Sequence, residues 1–290
     1  MHILENDVLK VVLSEHGAEL QSIYNKVNQK EYLWQGDPTY WARRSPILFP
    51  IVGKLANNTY YHKGRDYHIT KHGFARDMDF EVIERSQHYV KFMLKANEQS
   101  MLVYPFNFKL TVSYRLEMNK LTIKYKVYNN SDYLMYFSIG AHPAFNTNLS
   151  EKGIEDYYLD FEENKTLITK LIDKEVGLLS KEEKMILEKQ SILPLSYDLF
   201  SLDTIILENI NKVTLKNNIN DEEIKISCFN FPILALWTSQ KAKNCPFISI
   251  EPWYGLPDYV GIPQEISDKD YIQSVYPNDK FRTMYTIEIK

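Results

Sequence analysis

The sequence predicts an all-β protein, built as a large antiparallel β-sandwich with few short helices. Alternation of apolar and polar residues is its dominant pattern, and this pattern is typical of half-buried strands. The alternation is strongest in FNFKLTVSYRLEM, where seven alternate positions from 106 to 118 are apolar. The chain also contains 21 Tyr and 14 Phe, and aromatic residues are enriched in strands. Helix signals are confined to two short stretches.

Strand-like alternation recurs along the whole chain. Asn119 and Lys120 separate the first long run from a second run at 121–127, and this arrangement predicts a β-hairpin. The last residues, 281–290, alternate again. The remaining predicted strands lie at 7–13, 17–25, 31–35, 66–70, 79–85, 89–95, 133–140, 157–162, 203–208, 212–216, 222–229, 232–237 and 246–251.

Two stretches carry helix signals. SKEEKMILEKQ opens with Ser180 and has Glu183 three residues later, a capping-box pattern that predicts a helix over 181–189. NEQSMLVYPF predicts one or two further helical turns before Pro105. The chain has neither a repeat nor a Pro-, Gly- or Ser-rich linker, so we expect residues 1–290 to form a single domain.

Composition narrows the classes of partner. The net charge of −4 gives no electrostatic support to a nucleic-acid role. The longest apolar run, FPILALW, is too short to span a bilayer. The start of the chain, MHILENDVLK, does not resemble a signal peptide, and the two cysteines, Cys228 and Cys245, have no CxxC partner. We therefore expect a cytoplasmic protein without nucleic-acid or membrane partners, either a monomer or a homodimer.

Four stretches combine titratable side chains with predicted strand ends or loops, where sites tend to be built. They are WARRSPILFPIVGKL, KHGFARD, GAHPAFN and SIEPWYGLPD. The side chains of interest in them are Arg44, Lys54, His72, Arg76, His142, Asn146 and Glu251.

His142 lies where an apolar strand is expected to end. Pro143 restricts the residue before it and donates no ladder hydrogen bond, so the strand should stop at this histidine. The imidazole would then stand in a loop beside the sheet. A histidine that is satisfied by a backbone carbonyl is the alternative interpretation.

Glu251 follows the apolar run FISI. Burial of a charged carboxylate at that position lowers the stability of the fold by several kcal/mol unless the carboxylate is paired or its pKa shifts. The alternative is a glutamate at a strand end that turns into water. Asp203, in FSLDTIIL, has a similar setting and can equally be a turn residue.

No metal or cofactor is expected. His68 and His72 have the spacing of a helical metal pair, but their surroundings are strand-like. The sequence has no glycine-rich phosphate loop. What the candidate residues do offer is an imidazole and a carboxylate, which can act together as general acid and general base if the fold brings them face to face.

The chain resembles the aldose 1-epimerase (mutarotase) family, most of all its LacX-type branch. The resemblance is carried by four stretches that follow one another in this order: SPILFPIVGKL, KHGFARD, GAHPAFN and SIEPWYGLPD. The resemblance spans nearly the whole chain. It implies the galactose mutarotase-like supersandwich fold. It also implies an isomerase that interconverts the α and β anomers of a hexose without cofactor or metal. By this resemblance Glu251 is the general base, His142 the general acid, His72 a catalytic residue near the ring oxygen, and Asp203 a ligand of sugar hydroxyls.

The sequence departs from the galactose mutarotases at one position. Their asparagine–arginine–isoleucine stretch corresponds to Asn57, Asn58 and Thr59, so the usual substrate-binding arginine is missing. Arg44 or Arg76 is expected to replace it. Together with Arg43, Lys54 and Lys71, these arginines suit a phosphate, which leaves a hexose-6-phosphate 1-epimerase as one alternative. A solvated basic surface is equally consistent with the cluster. A catalytically silent carbohydrate-binding module on the same fold is a further alternative.

Overall fold

The computed structural model describes residues 1–148 and 150–290, and the strands in them are numbered in chain order. In the first half of the chain they are β1 His2–Glu5, β2 Leu9–Leu13, β3 Leu20–Asn25, β4 Lys30–Glu31, β5 Ile47–Leu48, β6 Thr59–His62, β7 Arg65–His68, β8 Glu81–Ser86, β9 Tyr89–Lys95, β10 Phe108–Glu117, β11 Lys120–Asn129, β12 Met135–Phe137, β13 Ile139–Ala141 and β14 Ala144–Asn146. In the second half they are β15 Tyr157–Asp173, β16 Leu178–Pro194, β17 Ile205–Glu208, β18 Lys212–Asn217, β19 Glu223–Ser227, β20 Ile233–Trp237, β21 Phe247–Tyr254, β22 Gln273–Val275 and β23 Lys280–Ile289.

Helices are short. The α-helix α1 runs from Glu98 to Val103, and Asn97 caps it by accepting a hydrogen bond from the Ser100 amide. This confirms the helical turns predicted before Pro105. Short 3₁₀ helices lie at Ala56–Asn58, Ala75–Asp77, Gly153–Asp156, Leu199–Leu202 and Ile266–Asp268. Within the described residues, no helix is long and apolar enough to cross a membrane.

The strands form one very large sheet and three small ones. The large sheet follows the order β5-β13-β21-β20-β17-β15-β18-β19-β23-β11-β10-β9-β8, with β14 pairing with β21 and β16 with β15. The four-stranded sheet β1-β2-β3-β4 and the pairs β12-β22 and β6-β7 complete the fold. Every strand pair in these sheets is antiparallel. The prediction of a large antiparallel β-sandwich is confirmed.

The β10–β11 hairpin shows how the alternation produces the core. On β11, the buried residues Leu121, Ile123, Tyr125 and Val127 alternate with half-buried polar residues, as the side-chain period of a strand requires. Glu117 pairs with Lys120, so the turn consists of Met118 and Asn119, one residue earlier than predicted. Met118 takes the left-handed backbone conformation, with φ 52°.

The predicted helix over 181–189 is wrong, because this segment lies within strand β16. It pairs with β15, which extends well beyond the predicted strand 157–162. Ser180 does not cap a helix, since its hydroxyl donates to the Leu171 carbonyl oxygen at 3.2 Å. Glu183 faces Lys170 across the two strands and forms an ion pair at 3.2 Å. Cross-strand pairing therefore outweighs the local helix signal.

Strand β21 is the element around which the site is built. All eight of its residues are buried. It pairs with β20 on one side and with the short strands β13 and β14 on the other. A strand held on both sides gives a side chain that emerges from it a fixed position.

Candidate active site

The register of three strands places His142 opposite Glu251. Gly140 on β13 pairs with Trp253, and Ala144 on β14 pairs with Ser249. His142 lies midway between the two paired residues of its own segment, and Glu251 lies midway between theirs. The interruption between β13 and β14 falls at His142 and Pro143, as the sequence predicts. Because opposite residues of neighbouring strands share one face of the sheet, the two side chains meet.

The two side chains form a buried pair. His142 Nε2 lies 3.3 Å from Glu251 Oε1, and the side chains are 10% and 1% exposed. The indole N–H of Trp253 donates to Glu251 Oε2 at 3.2 Å. In the described part of the chain, Glu251 Oε1 and His142 Nδ1 have no hydrogen-bond partner of good geometry. The pair therefore retains polar atoms that a ligand can satisfy.

His72 is held by the backbone of a neighbouring loop. The Gly53 amide donates to His72 Nδ1 at 3.1 Å, and the His72 amide donates to the Gly53 carbonyl oxygen at 2.9 Å. Since Nδ1 accepts a hydrogen bond, the neutral ring carries its proton on Nε2. The His72 ring lies edge-on to His142, with ring centroids 5.8 Å apart. His72 can therefore act as a neutral donor beside the pair.

Tryptophans form the walls around the pair. Trp41 stacks on the His142 ring with a centroid distance of 4.6 Å, and Trp237 meets the same ring edge-on at 5.5 Å. The cavity that they enclose has a volume of about 300 Å³, at the lower end of the range for small-molecule sites. It is lined by Trp41, Gly53, Lys54, Lys71, His72, Arg76, His142, Ile172, Gly177, Asp203, Thr204, Trp237, Glu251, Trp253 and Pro257.

Burial shifts the pKa values of the central groups in opposite directions. Burial raises the pKa of Glu251 well above its ordinary value, and the nearby positive charge of Lys71 only partly opposes this. Burial lowers the pKa of His142 well below its ordinary value, and Lys71 adds to that effect. The pKa of His72 is lowered for the same reasons. Each shift favours the neutral form of a buried group.

Three further predicted side chains line the cavity. Asp203 Oδ1 accepts hydrogen bonds from the Thr204 amide and hydroxyl, at 2.6 and 2.8 Å, which orients the carboxylate. Arg76 Nη2 donates to the Lys71 carbonyl oxygen at 2.7 Å. Lys54 Nζ donates to the Val176 carbonyl oxygen at 2.6 Å, at the tip of the β15–β16 hairpin.

Arg44 and Asn146, which were also predicted to bind substrate, do not line the cavity. Arg44 Nη1 donates to the backbone and side-chain oxygens of Gln21. The side-chain amide of Asn146, through Nδ2, donates to the carbonyl oxygens of Glu31 and Leu33, both at 2.9 Å. Both side chains therefore tie the N-terminal sheet to the rest of the fold. Of the two arginines proposed to replace the missing one, Arg76 is the one that reaches the cavity.

Sequence reasoning missed several lining residues, including Trp237, Thr204 and Ile172. Tryptophan is rare in this chain, with 4 in total, and three of them line the cavity. That rarity is a signal that could have identified Trp237, and no comparable signal marks Thr204 or Ile172. A groove of about 460 Å³ on the outer face of β11, β19 and β23 contains none of the predicted site residues. Within the described ranges, no group of three or more His, Cys, Asp and Glu side chains is placed to hold a metal ion.

This β-sandwich, with its cavity beside β21, is of the galactose mutarotase-like type. The chain belongs to the aldose 1-epimerase family, whose model matches residues 1–261. Within that family it is similar to protein LacX of Lactococcus lactis subsp. lactis. The chromosomal LacX protein is 36% identical over 296 residues, which cover 99% of this chain and 98% of LacX. The resemblance seen in the sequence motifs is thus confirmed.

Solved structures agree with this assignment. A galactose mutarotase related enzyme from Lactobacillus acidophilus is 34% identical, with a TM-score of 0.94 over 100% of this chain and 97% of that chain. A galactose mutarotase-like protein from Lactobacillus casei is also 34% identical, with a TM-score of 0.94 over 100% of both chains.

Proposed function

We propose that the protein is an aldose 1-epimerase that interconverts the α and β anomers of a hexose. The observation that carries the proposal is the buried pair of His142 and Glu251, 3.3 Å apart in the wall of a tryptophan-lined cavity. Anomer exchange at a hemiacetal needs one proton donor and one proton acceptor, and no nucleophile. The flat indole faces suit the apolar C–H faces of a sugar ring, while polar side chains meet its hydroxyls.

In the proposed reaction, the Glu251 carboxylate takes the proton of the C1 hydroxyl. The bond between C1 and the ring oxygen breaks, and the ring oxygen takes a proton from the His142 imidazolium. The product is the open-chain aldehyde. Rotation about C1–C2 and reclosure, with the two proton transfers reversed, give the other anomer. His72 donates a hydrogen bond through Nε2 near the ring oxygen, and Asp203 accepts hydrogen bonds from sugar hydroxyls.

The pair carries one proton throughout this cycle. Before ring opening this proton is bound to His142, and after ring opening the pair's proton is bound to Glu251. An ordinary histidine holds a proton more tightly than an ordinary carboxylate. Burial raises the pKa of Glu251 and lowers that of His142, so it shifts the shared proton away from His142 and towards Glu251. Ring opening moves the proton in this same direction, so burial favours that step relative to an ordinary histidine and carboxylate.

The proposal is tested by measuring the rate of anomer exchange of glucose and galactose at equilibrium with proton NMR. Glu251→Gln keeps the shape of the side chain and removes the base, so turnover should fall by about 10²–10⁴-fold. Glu117→Gln, on an exposed end of β10, is the matched control and should retain full turnover. Near-normal turnover in Glu251→Gln would refute the role of Glu251. Sugar binding without any exchange by the wild-type protein would favour the carbohydrate-binding alternative.

A hexose 6-phosphate is the second candidate substrate, because three cationic side chains line the cavity. Lys54, Lys71 and Arg76 all line it, and a guanidinium fork matches phosphate oxygens. Comparison of kcat/KM for glucose and glucose 6-phosphate decides between the substrates. Under this alternative, Arg76→Met lowers turnover of the phosphorylated sugar selectively. Arg44→Met, which alters an arginine outside the cavity, is the comparison and should leave that preference unchanged.

A further inference from the structure

A buried ion pair lies behind the cavity wall and has no part in the proton transfers described above. Lys269 and Asp258 are 3% and 2% exposed. Lys269 Nζ bonds to Asp258 Oδ1 and also donates to the Leu256 carbonyl oxygen at 3.3 Å. Neither residue of the pair lines the cavity. Two charges are rarely buried in this way unless both are paired and hydrogen-bonded.

Asp258 connects this ion pair to the loop that carries Gly53. Its second carboxylate oxygen, Oδ2, accepts a hydrogen bond from the Ala56 amide at 2.9 Å. Its own amide donates to the Lys54 carbonyl oxygen at 2.9 Å. Pro257 packs so closely against Gly53 that a Cβ at position 53 would lie 2.4 Å from Pro257 Cγ. The segment 53–56 is therefore held along its length by residues 257 and 258.

Gly53 in turn sets the position and the tautomer of His72. Its amide donates to His72 Nδ1, and its carbonyl oxygen accepts from the His72 amide. A displacement of Gly53 would remove the acceptor role of Nδ1. The ring would then be free to rotate or to carry its proton on the other nitrogen.

We propose that the Lys269–Asp258 ion pair positions His72, because it fixes the loop whose Gly53 amide holds the ring with its proton on Nε2. The proposal rests on the proposed function in one respect, namely that His72 meets the sugar. Lys269 and Asp258 are positioning residues, and neither touches the substrate. Their proposed effect on His72 passes through the backbone amide of Gly53.

Lys269→Met tests the proposal, with nitrogen-15 NMR of histidine-labelled protein as the first measurement. Loss of the lysine leaves a buried carboxylate without its counter-charge, and such a group leaves its site or takes up a proton. A displaced carboxylate no longer accepts from the Ala56 amide, so the loop moves and His72 is expected to lose the Nε2–H tautomer pattern. We expect kcat/KM for anomer exchange to fall by about 10²-fold, the usual effect of a small misplacement in an active site.

A double variant separates positioning from simple stabilisation. Asp258→Asn with Lys269→Met removes both charges and leaves an amide oxygen that can still accept from Ala56. It should restore the His72 tautomer pattern and most of kcat/KM. Lys216→Met breaks the 2.8 Å ion pair with Asp160, away from the cavity, and is the control. It should lower thermal stability without changing the His72 signals.

Two results would overturn the proposal. One is a Lys269→Met protein that keeps the wild-type His72 signals and kcat/KM while it loses thermal stability, because the ion pair would then only hold the fold together. The other needs no variant: wild-type protein in which neutral His72 carries its proton on Nδ1 cannot have the Gly53 hydrogen bond. Failure of the proposed function is distinct, since it appears as wild-type protein with no exchange activity and leaves the NMR result unaffected.

Discussion

Glu251→Gln should make the protein more stable while it removes the proposed activity. The Glu251 side chain is 1% exposed. Oε2 accepts a single hydrogen bond, from Trp253, and Oε1 has no partner of good geometry among the described residues. An unsatisfied buried polar group costs about 1–3 kcal/mol, and a charged group costs more. Glutamine has the same shape without the charge, so the free energy of unfolding should rise by about 1–3 kcal/mol near neutral pH.

This increase corresponds to a measurable change in melting temperature. Unfolding entropy is about 2.1 cal/mol/K per residue, so a chain of 290 residues has roughly 0.6 kcal/mol/K. A gain of about 1–3 kcal/mol then raises Tm by about 2–5 °C.

The difference between the two proteins should depend on pH. Burial raises the pKa of Glu251 above its ordinary value of 4.5. The stability that such a group contributes is fully present below the ordinary value and is lost as pH rises through the raised pKa. The advantage of Glu251→Gln should therefore be small at low pH and grow as pH increases. His142 titrates in the opposite sense, because its pKa is lowered, but it is present in both proteins.

Thermal unfolding, followed by circular dichroism from about pH 5 to about pH 8, checks this prediction. Glu117→Gln, an exposed carboxylate, controls for the loss of one negative charge. A Tm below that of wild type over the whole range would refute the reasoning. So would an advantage of the same size at both ends of the range, because burial of a charge then would not be its cause.

Three other measurements test the site and its supports. The pH–rate profile of anomer exchange should be bell-shaped, because the proposed reaction needs the pair of His142 and Glu251 to carry one proton, and two protons or none stop it. Burial lowers the pKa of His142, so the doubly protonated pair should lose its first proton below pH 6.5, the ordinary pKa of histidine; an acid limb above that value would contradict this. Gly73→Ala should lower kcat/KM by about 10²-fold, because Gly73 follows His72 and has a φ of 70°, and an added Cβ would lie 2.3 Å from the Phe49 carbonyl oxygen. Unchanged kinetics would show that the turn can relax. Lys269→Met should lower the free energy of unfolding by about 3–5 kcal/mol, which corresponds to a fall in Tm of about 5–8 °C. The double variant with Asp258→Asn should lose less stability; equal losses in the two variants would show that the unpaired charge is not the cause.

The sequence alone predicts the strands that have one buried face and one face directed towards solvent. On β11 buried and half-buried residues alternate over all ten positions, and on β10 only the buried Thr111 interrupts the alternation. The segment 181–189 misled for a physical reason. Its polar residues are exposed on both sides of a long hairpin, so no alternation marked it as a strand. A local capping pattern was then the strongest signal left, although the pairing partner in β15 decides the structure.

Several side chains of the cavity were predictable from local features, but their arrangement was not. His142 and Glu251 were identified by local features, a proline after a strand and a carboxylate in an apolar run. Their contact depends on the register between segments about a hundred residues apart, which no local pattern encodes. Arg44 and Arg76 show the same limit. Both are arginines in basic stretches, and only the fold decides that Arg76 reaches the cavity.

Register also explains how the pair can be both buried and well placed. Glu251 lies opposite Ala235 on β20 and opposite His142 on its other side, so its backbone is fixed by neighbours on both edges. A slip of one residue in either segment would turn one side chain to the other face of the sheet and separate the pair. The sheet thus holds a largely buried imidazole and carboxylate together, and their burial lowers the stability of the fold. The same burial shifts the shared proton from His142 towards Glu251, which is the direction in which the proposed ring opening moves it.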